Sequence, residues 1–192
     1  EGAKVIVTAR SVDAINAIAA DIKAAGGEAI AVKCDVSKME DCQAAAQAAL
    51  DAWGRIDGLV NSAYYHPDWM NLEAHSIDQL TQAFDVIATG SLRMAQCVIP
   101  TMKAQGKGSI VNVSTLATRK PMPGEGGYAM AKAALNQMTR QLAVELAGTG
   151  IRVNTALMGW MMGAPLRSFI DGLGEGGPAF EKQRASEVPV GH

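Results

Sequence analysis

The 192-residue chain is 48% hydrophobic and 19% charged, with a formal net charge of −2. That is enough apolar material for one α/β domain with a sizeable core, and it argues against a disordered chain. No basic run marks a nucleic-acid footprint, and no apolar stretch reaches the roughly 18 residues of a membrane-spanning helix. With no signal-peptide pattern at the start, the chain is expected to be cytoplasmic, with neither nucleic acid nor membrane as a partner. Cys34, Cys42 and Cys97 are odd in number and lack metal-ligand spacing, so they read as reduced, buried thiols with no metal role.

In chain order, "KVIVTA" is rich in β-branched residues and predicts a buried strand. "SVDAINAIAADIKAAGG" follows, with Ser11 as candidate cap, Ile15, Ile18, Ala19 and Ile22 at helical spacing, and Gly26 or Gly27 as the end. "EAIAVKC" predicts a second strand, and "DVSKMEDCQAAAQAALDAWG" a second helix with Ser37 as its cap. "IDGLVNSA" reads as a third strand, with a polar loop around Tyr64 to Asp68 behind it. A long helix is expected from about Ser76 to Ala104, broken near Gly90 and near Pro100. "GSIVNVS", "GYAMAKAALNQMTRQLAVELAG" and "IRVNTAL" predict a strand, a helix and a fifth strand. After Gly159 the glycine-rich "MMGAPLRSFIDGLGEGGPAF" reads as a mobile lid or loop. There is no internal repeat.

Strand and helix in alternation with short connections call for a doubly wound parallel sheet in a three-layer α/β/α arrangement, a single domain over 1–192. In such sheets ligands bind beyond the carboxyl ends of the strands. That selects Arg10, Asp35, Asn61, Ser114 with Thr115, and Met158 with Gly159.

Arg10 stands where a dinucleotide domain meets the adenosine ribose, and a guanidinium there pairs with a 2′-phosphate, which favours NADP over NAD. The plainer alternative is an exposed arginine at a strand end. Asp35 with Val36 would sit against the adenine, or Asp35 could simply start a helix. Tyr128 and Lys132, four apart on a helix, share one face. An ammonium beside a phenol favours the phenolate, and a phenol that trades a proton with an alcohol or carbonyl oxygen complements hydride exchange at a nicotinamide. A partly buried tyrosine beside a snorkelling lysine is the bland reading of the same pair. Ser114 or Thr115 would hold the substrate oxygen.

Taken together, "DV" at Asp35 and Val36, "NSA" from Asn61 through Ser62 to Ala63, "IVNVST" from Ile110 to Thr115, Tyr128-x-x-x-Lys132 and "IRVNTALMGW" from Ile151 to Trp160 resemble the short-chain dehydrogenase/reductase family over nearly the whole chain. The resemblance implies a Rossmann fold with NAD(P), Tyr128 as acid/base, and Lys132 lowering the tyrosine's pKa and binding the nicotinamide ribose. It places Asn61, Ser62 and Ala63 at the cofactor, with Gly159 allowing close approach to the nicotinamide and Met161 offering its backbone amide. It also implies a homodimer or homotetramer built on the helices around Gln82 to Met102 and Ala129 to Leu146, which look apolar over more than one face.

The departures are specific. The family's substrate-holding serine, thirteen residues before the tyrosine, is Thr115 here; its helix asparagine aligns with Ile87, and a cofactor-holding threonine aligns with Gly163. These changes motivate an alternative: a dinucleotide-binding protein weakened in catalysis that senses cofactor or assembles. A cofactor-free interaction module is a third reading. The resemblance also places a central first strand with a glycine-rich turn before Glu1 and a last strand beyond His192, so the chain is expected to leave a hole in its own sheet. His66 and His75, in or near the loop after Asn61, could line a substrate mouth, with surface histidines the commoner reading. Tyr64, Tyr65, Met122, Trp160 and Met161 suit an apolar substrate pocket and ordinary packing equally well.

Overall fold

The computed structural model describes residues 2–186. Two compact units divide the chain, Glu1–Leu157 and Met158–His192.

In the first unit, β1 (Lys4–Ala9) leads through α1 (Val12–Ala24) to β2 (Glu28–Lys33), which pairs with β1 in parallel from Lys4 opposite Glu28 to Ala9 opposite Lys33. After α2 (Met39–Trp53), β3 (Gly58–Asn61) pairs in parallel with β4 (Gly108–Thr115), and β5 (Ile151–Met158) lies on the other side of β4. The helices α3 (Ile77–Phe84), α4 (Gly90–Gln105) and α5 (Gly126–Glu145) connect and flank these strands. This is the Rossmann-like order of parallel strands and crossover helices that the alternating pattern predicts. The strands form two sheets, β1-β2 and β3-β4-β5, and β1 is not paired with β3.

The largest core cluster fills the space between the three-stranded sheet and its helices. Ala95, Val98 and Met102 of α4 meet Ile110 of β4, Leu142 of α5 and Val153 of β5, and Met102 and Ile110 are completely buried. Burying each such side chain is worth about 1.5–3 kcal/mol, so this cluster fixes β4 and α5 relative to each other. Gly54, at φ 68°, ends α2 in the left-handed conformation, its N–H bonding to the carbonyl of Leu50.

Several local expectations are corrected. Pro100 lies inside α4 without ending it. Pro100 and Gln96 are both exposed, so the carbonyl deprived of a backbone donor faces water. The segment near Gly90 is a π-helical turn, Asp85–Thr89, that joins α3 to α4 without a break. Ser11 occupies the cap position of α1 but makes no side-chain capping bond, and Lys38, not Ser37, is the residue before α2.

The second unit is helical where the glycine content reads as a mobile lid or loop. It folds as α6 (Ala164–Gly172) and α7 (Gly177–Ser186). Phe180 packs edge-on against both Trp160 and Phe169, with ring centroids 5.4 Å apart in each pair, and the Arg184 guanidinium stands over the Trp160 and Phe180 rings.

Candidate active site

Tyr128 and Lys132 sit on successive turns of α5, on one face, as their spacing predicts. Lys132 is 3% exposed, its Nζ donating to the Val113 carbonyl at 2.6 Å and lying 5.6 Å from the Tyr128 ring centroid. Tyr128 packs on a small apolar cluster formed by Ala83, Ile87, Ala131 and Leu135. Ile87 is thus a core residue of the π-helical turn, 1% exposed.

The electrostatics depart from the expected activation. Burial pushes the Tyr128 phenol well above its ordinary value, with Tyr64 and the Glu125 carboxylate adding to the rise. Burial also brings the Lys132 ammonium down to about 8. The ammonium lies beside the phenol ring and is hydrogen-bonded to a backbone carbonyl instead of the phenol oxygen. The raised phenol runs against the expectation that Lys132 lowers the tyrosine's pKa: desolvation is the largest cause, and Lys132 is not among the groups that act on it.

β4 alternates buried and half-buried residues, so its last two hydroxyls face opposite ways. Ser114 is 2% exposed and its Oγ has no hydrogen-bond partner among the described residues. Thr115 Oγ1 accepts from Ala117 N at 3.2 Å, capping a 3₁₀ turn, Leu116–Thr118. A hydroxyl has one donor and two acceptor sites, so that cap leaves the Thr115 O–H free to donate.

Asn61 is buried in a chain of polar contacts. Its amide donates to Asn112 Oδ1 at 2.8 Å and to the Ser91 carbonyl at 3.2 Å, and Asn112 donates to Thr139 Oγ1 at 2.8 Å. The parallel register sets Asn61 opposite Asn112. The network joins β3, β4, α4 and α5, so Asn61 acts here as a brace. Ser62 beyond it is exposed, and Ala63 half-buried.

At the end of the other sheet Arg10 is exposed. Asp35 Oδ1 accepts from the backbone N and the hydroxyl of Ser37, at 3.0 and 2.7 Å. These two bonds hold the Asp35 carboxyl below the usual range, and Arg10 adds to the effect. Asp35 thus anchors the turn that leads into α2, whose first residue is Met39. Val36 is pinned by Arg93, which donates to its carbonyl at 3.2 Å while pairing with Asp85 Oδ1 at 2.6 Å. Gly159 and Met161 belong to the second unit, where Met161 is exposed.

The two histidines are not surface residues. His75 is 8% exposed, beside Pro67 and Gly127, and the His66 side chain is 11% exposed. His66 lies between the rings of Trp69 and Tyr128, and its Nε2 is 3.5 Å from Glu125 Oε2. The sequence reading missed Glu125 and Trp69. The available signal was Glu125's place one helical turn before Tyr128. The three cysteines are free, and burial pushes their thiols up, that of Cys34 to about 12.

A half-buried tyrosine one helical turn from a buried lysine that bonds to the strand ending in Ser114 and Thr115, on a Rossmann-like frame, delimits a class of oxidoreductases. The family model described as Enoyl-(Acyl carrier protein) reductase matches residues 1–191. The 2,5-dichloro-2,5-cyclohexadiene-1,4-diol dehydrogenase LinX of Sphingobium indicum is 32% identical over 192 residues, which is 100% of this chain and 73% of that protein. The short-chain reductase protein NovJ of Streptomyces niveus is 34% identical over 191 residues, 100% of this chain and 72% of its own. Among solved structures, a short-chain dehydrogenase/reductase from Burkholderia xenovorans superposes with a TM-score of 0.90 at 29% identity, covering 98% of this chain and 72% of that one. A metagenomic short-chain oxidoreductase in complex with NADP gives 0.75 at 32% identity over 82% of this chain and 71% of that one. The chain belongs to the short-chain dehydrogenase/reductase family of oxidoreductases.

No described helix is long and apolar enough to cross a membrane.

Proposed function

We propose that the protein interconverts an alcohol and a ketone or aldehyde with a nicotinamide dinucleotide, using Tyr128 as the acid/base. The carrying observation is the junction of α5 with β4: Lys132 reaches the Val113 carbonyl, which brings the tyrosine's helix against the strand that ends in Ser114 and Thr115. The donor set fits such a cofactor. Lys132 spends one of its three N–H donors on Val113 and keeps two for ribose hydroxyls. Arg10 presents an exposed guanidinium at the β1 end for a ribose phosphate, which supports NADP as the preferred form.

When bound, the dinucleotide gives hydride to the substrate carbon or takes it away. The chain's residues handle the oxygen. Thr115 donates its free O–H to the substrate oxygen and steadies the charge that develops there. Tyr128 donates its proton to a carbonyl oxygen, or takes one from an alcohol. Burial keeps the Tyr128 phenol protonated at neutral pH, so the resting site holds the proton that a carbonyl oxygen would take. The apolar packing around Tyr128 keeps bulk water from competing for that proton.

The proposal includes an assembly of identical subunits across α5, where Met130 and Val144 are exposed. The functional reading is tested by supplying NADPH and NADH with a panel of steroid, sugar, terpenoid and aliphatic carbonyls. Cofactor oxidation coupled to alcohol product is expected with at least one class. Tight cofactor binding with no consumption across the panel would contradict it.

A further inference from the structure

His66 is the group at this site that the proposed reaction leaves unused. Its ring is sandwiched between Trp69, at 4.8 Å and 16° between planes, and Tyr128, at 4.9 Å and 29°. Its Nδ1 contacts the carbonyl of the buried Pro67, and its Nε2 faces Glu125 Oε2 at 3.5 Å. Glu125 is 7% exposed and directly precedes α5, one turn before Tyr128. Apart from this ion-pair contact, neither His66 Nε2 nor Glu125 Oε2 has a hydrogen bond among the described residues.

A carboxylate this deep must either take up a proton or find a counter-charge. The other titratable groups around it do not supply one. Tyr64 and Tyr128 are phenols that carry no positive charge, and neither Lys132, which donates to the Val113 carbonyl, nor His75 is within ion-pair distance of Glu125 among the described residues. Asp68 is engaged by Gln79. Among the described residues the imidazole of His66 is the one group in ion-pair reach of Glu125, and it is also in face contact with the Tyr128 ring.

We propose that His66 and Glu125 are a positioning pair for Tyr128: the stacked imidazole fixes the phenol ring, and the pair controls the charge beside its hydroxyl. With His66 protonated the pair is neutral. Once His66 loses its proton, Glu125 stands as an uncompensated carboxylate one helical turn from the phenol and opposes its ionisation. Burial by itself would push the His66 pKa down, but the Glu125 carboxylate and the Pro67 carbonyl more than offset it and leave it raised. The pair thus biases Tyr128 toward holding its proton as pH rises, which deepens the acid/base reading above and rests on it.

The test needs no substrate. The chain has three histidines and three tyrosines, so each can be assigned by substitution. His66 is followed by proton NMR pH titration, identified by its loss in His66→Phe. Tyr128 is followed by tyrosinate absorbance up to pH 12, as wild type minus Tyr128→Phe. Glu125→Gln is expected to lower the His66 midpoint and to bring the onset of Tyr128 ionisation to lower pH, each by about one unit. If either stays put, the proposal is overturned. Should Glu125→Gln not fold, Glu125→Asp keeps the charge but shortens its reach, and smaller shifts of the same sign are expected; none would overturn the proposal. Because both readings are equilibrium titrations, they are independent of turnover. A fully active Tyr128→Phe would sink the acid/base reading, and unmoved midpoints beside an inactive Tyr128→Phe would sink this inference alone.

Discussion

Lys132 Nζ donates to the Val113 carbonyl at 2.6 Å, tying the middle of α5 to β4 one residue before the strand's hydroxyl pair. The bond holds an amine in a place that disfavours its charge, and that has a consequence for stability. Unfolded, the amine titrates near its ordinary value of 10.5, and folded at about 8. Between those values the unfolded chain binds more protons, so stability rises with pH; the lysine's share is complete above 10.5 and is lost as pH falls to about 8. Relative to Lys132→Met, which cancels the thiol and phenol contributions common to both, the wild type should gain up to roughly 3 kcal/mol across that window. Urea unfolding at a series of pH values measures it, and a flat difference would contradict the buried ammonium.

Arg10 is the residue on which cofactor choice is proposed to turn. A charge-assisted contact to a ribose phosphate is worth about 1.5–3 kcal/mol, so Arg10→Ala should weaken NADPH binding by roughly 10- to 100-fold. NADH binding should change little. Calorimetric titration of both cofactors reads the split, and equal losses would assign Arg10 a structural role.

Ser114 and Thr115 are separated by what their hydroxyls already do. Thr115 keeps a free O–H after capping the following turn, whereas Ser114 Oγ is buried without a partner. Thr115→Val should therefore cut kcat by about 10²-fold or more, the usual cost of losing an oxyanion donor. Ser114→Ala should leave kcat nearly unchanged and stability equal or slightly higher, since it removes an unsatisfied hydroxyl. The opposite ranking in steady-state kinetics would exchange their roles.

Much of this was legible in the sequence for reasons that are local. Tyr128 and Lys132 share a face because helical spacing demands it, and the strand ends follow from runs of β-branched residues. What depends on contacts between distant segments was not. Nothing in the order of residues announces that the loop after β3 folds His66 onto Glu125 and Tyr128, or that the phenol is desolvated enough to reverse its expected shift. Asp35 was ambiguous because only the turn geometry shows Ser37 donating to it twice. In the second unit, Leu166, Phe169, Ile170 and Leu173 do carry helical spacing, but the glycines between and after them masked it.

Gly127 marks how tightly the loop before α3 approaches α5. A Cβ there would press on the Leu80 side chain and stand 3.2 Å from His75 Nε2 and 3.3 Å from Pro67 Cγ. Gly127→Ala should cost about 1–3 kcal/mol, as overpacking does. It should also shift the His75 and His66 resonances in NMR spectra. Unchanged stability and spectra would mean the loop adapts freely.

The central claim is that Tyr128 moves the proton while a nicotinamide exchanges hydride. The most direct measurement compares wild type with Tyr128→Phe, at saturating NADPH and with a carbonyl the wild type reduces. Turnover should fall by about 10²- to 10⁴-fold while cofactor affinity stays close to wild type. Turnover at the wild-type rate in the phenylalanine variant would contradict the account.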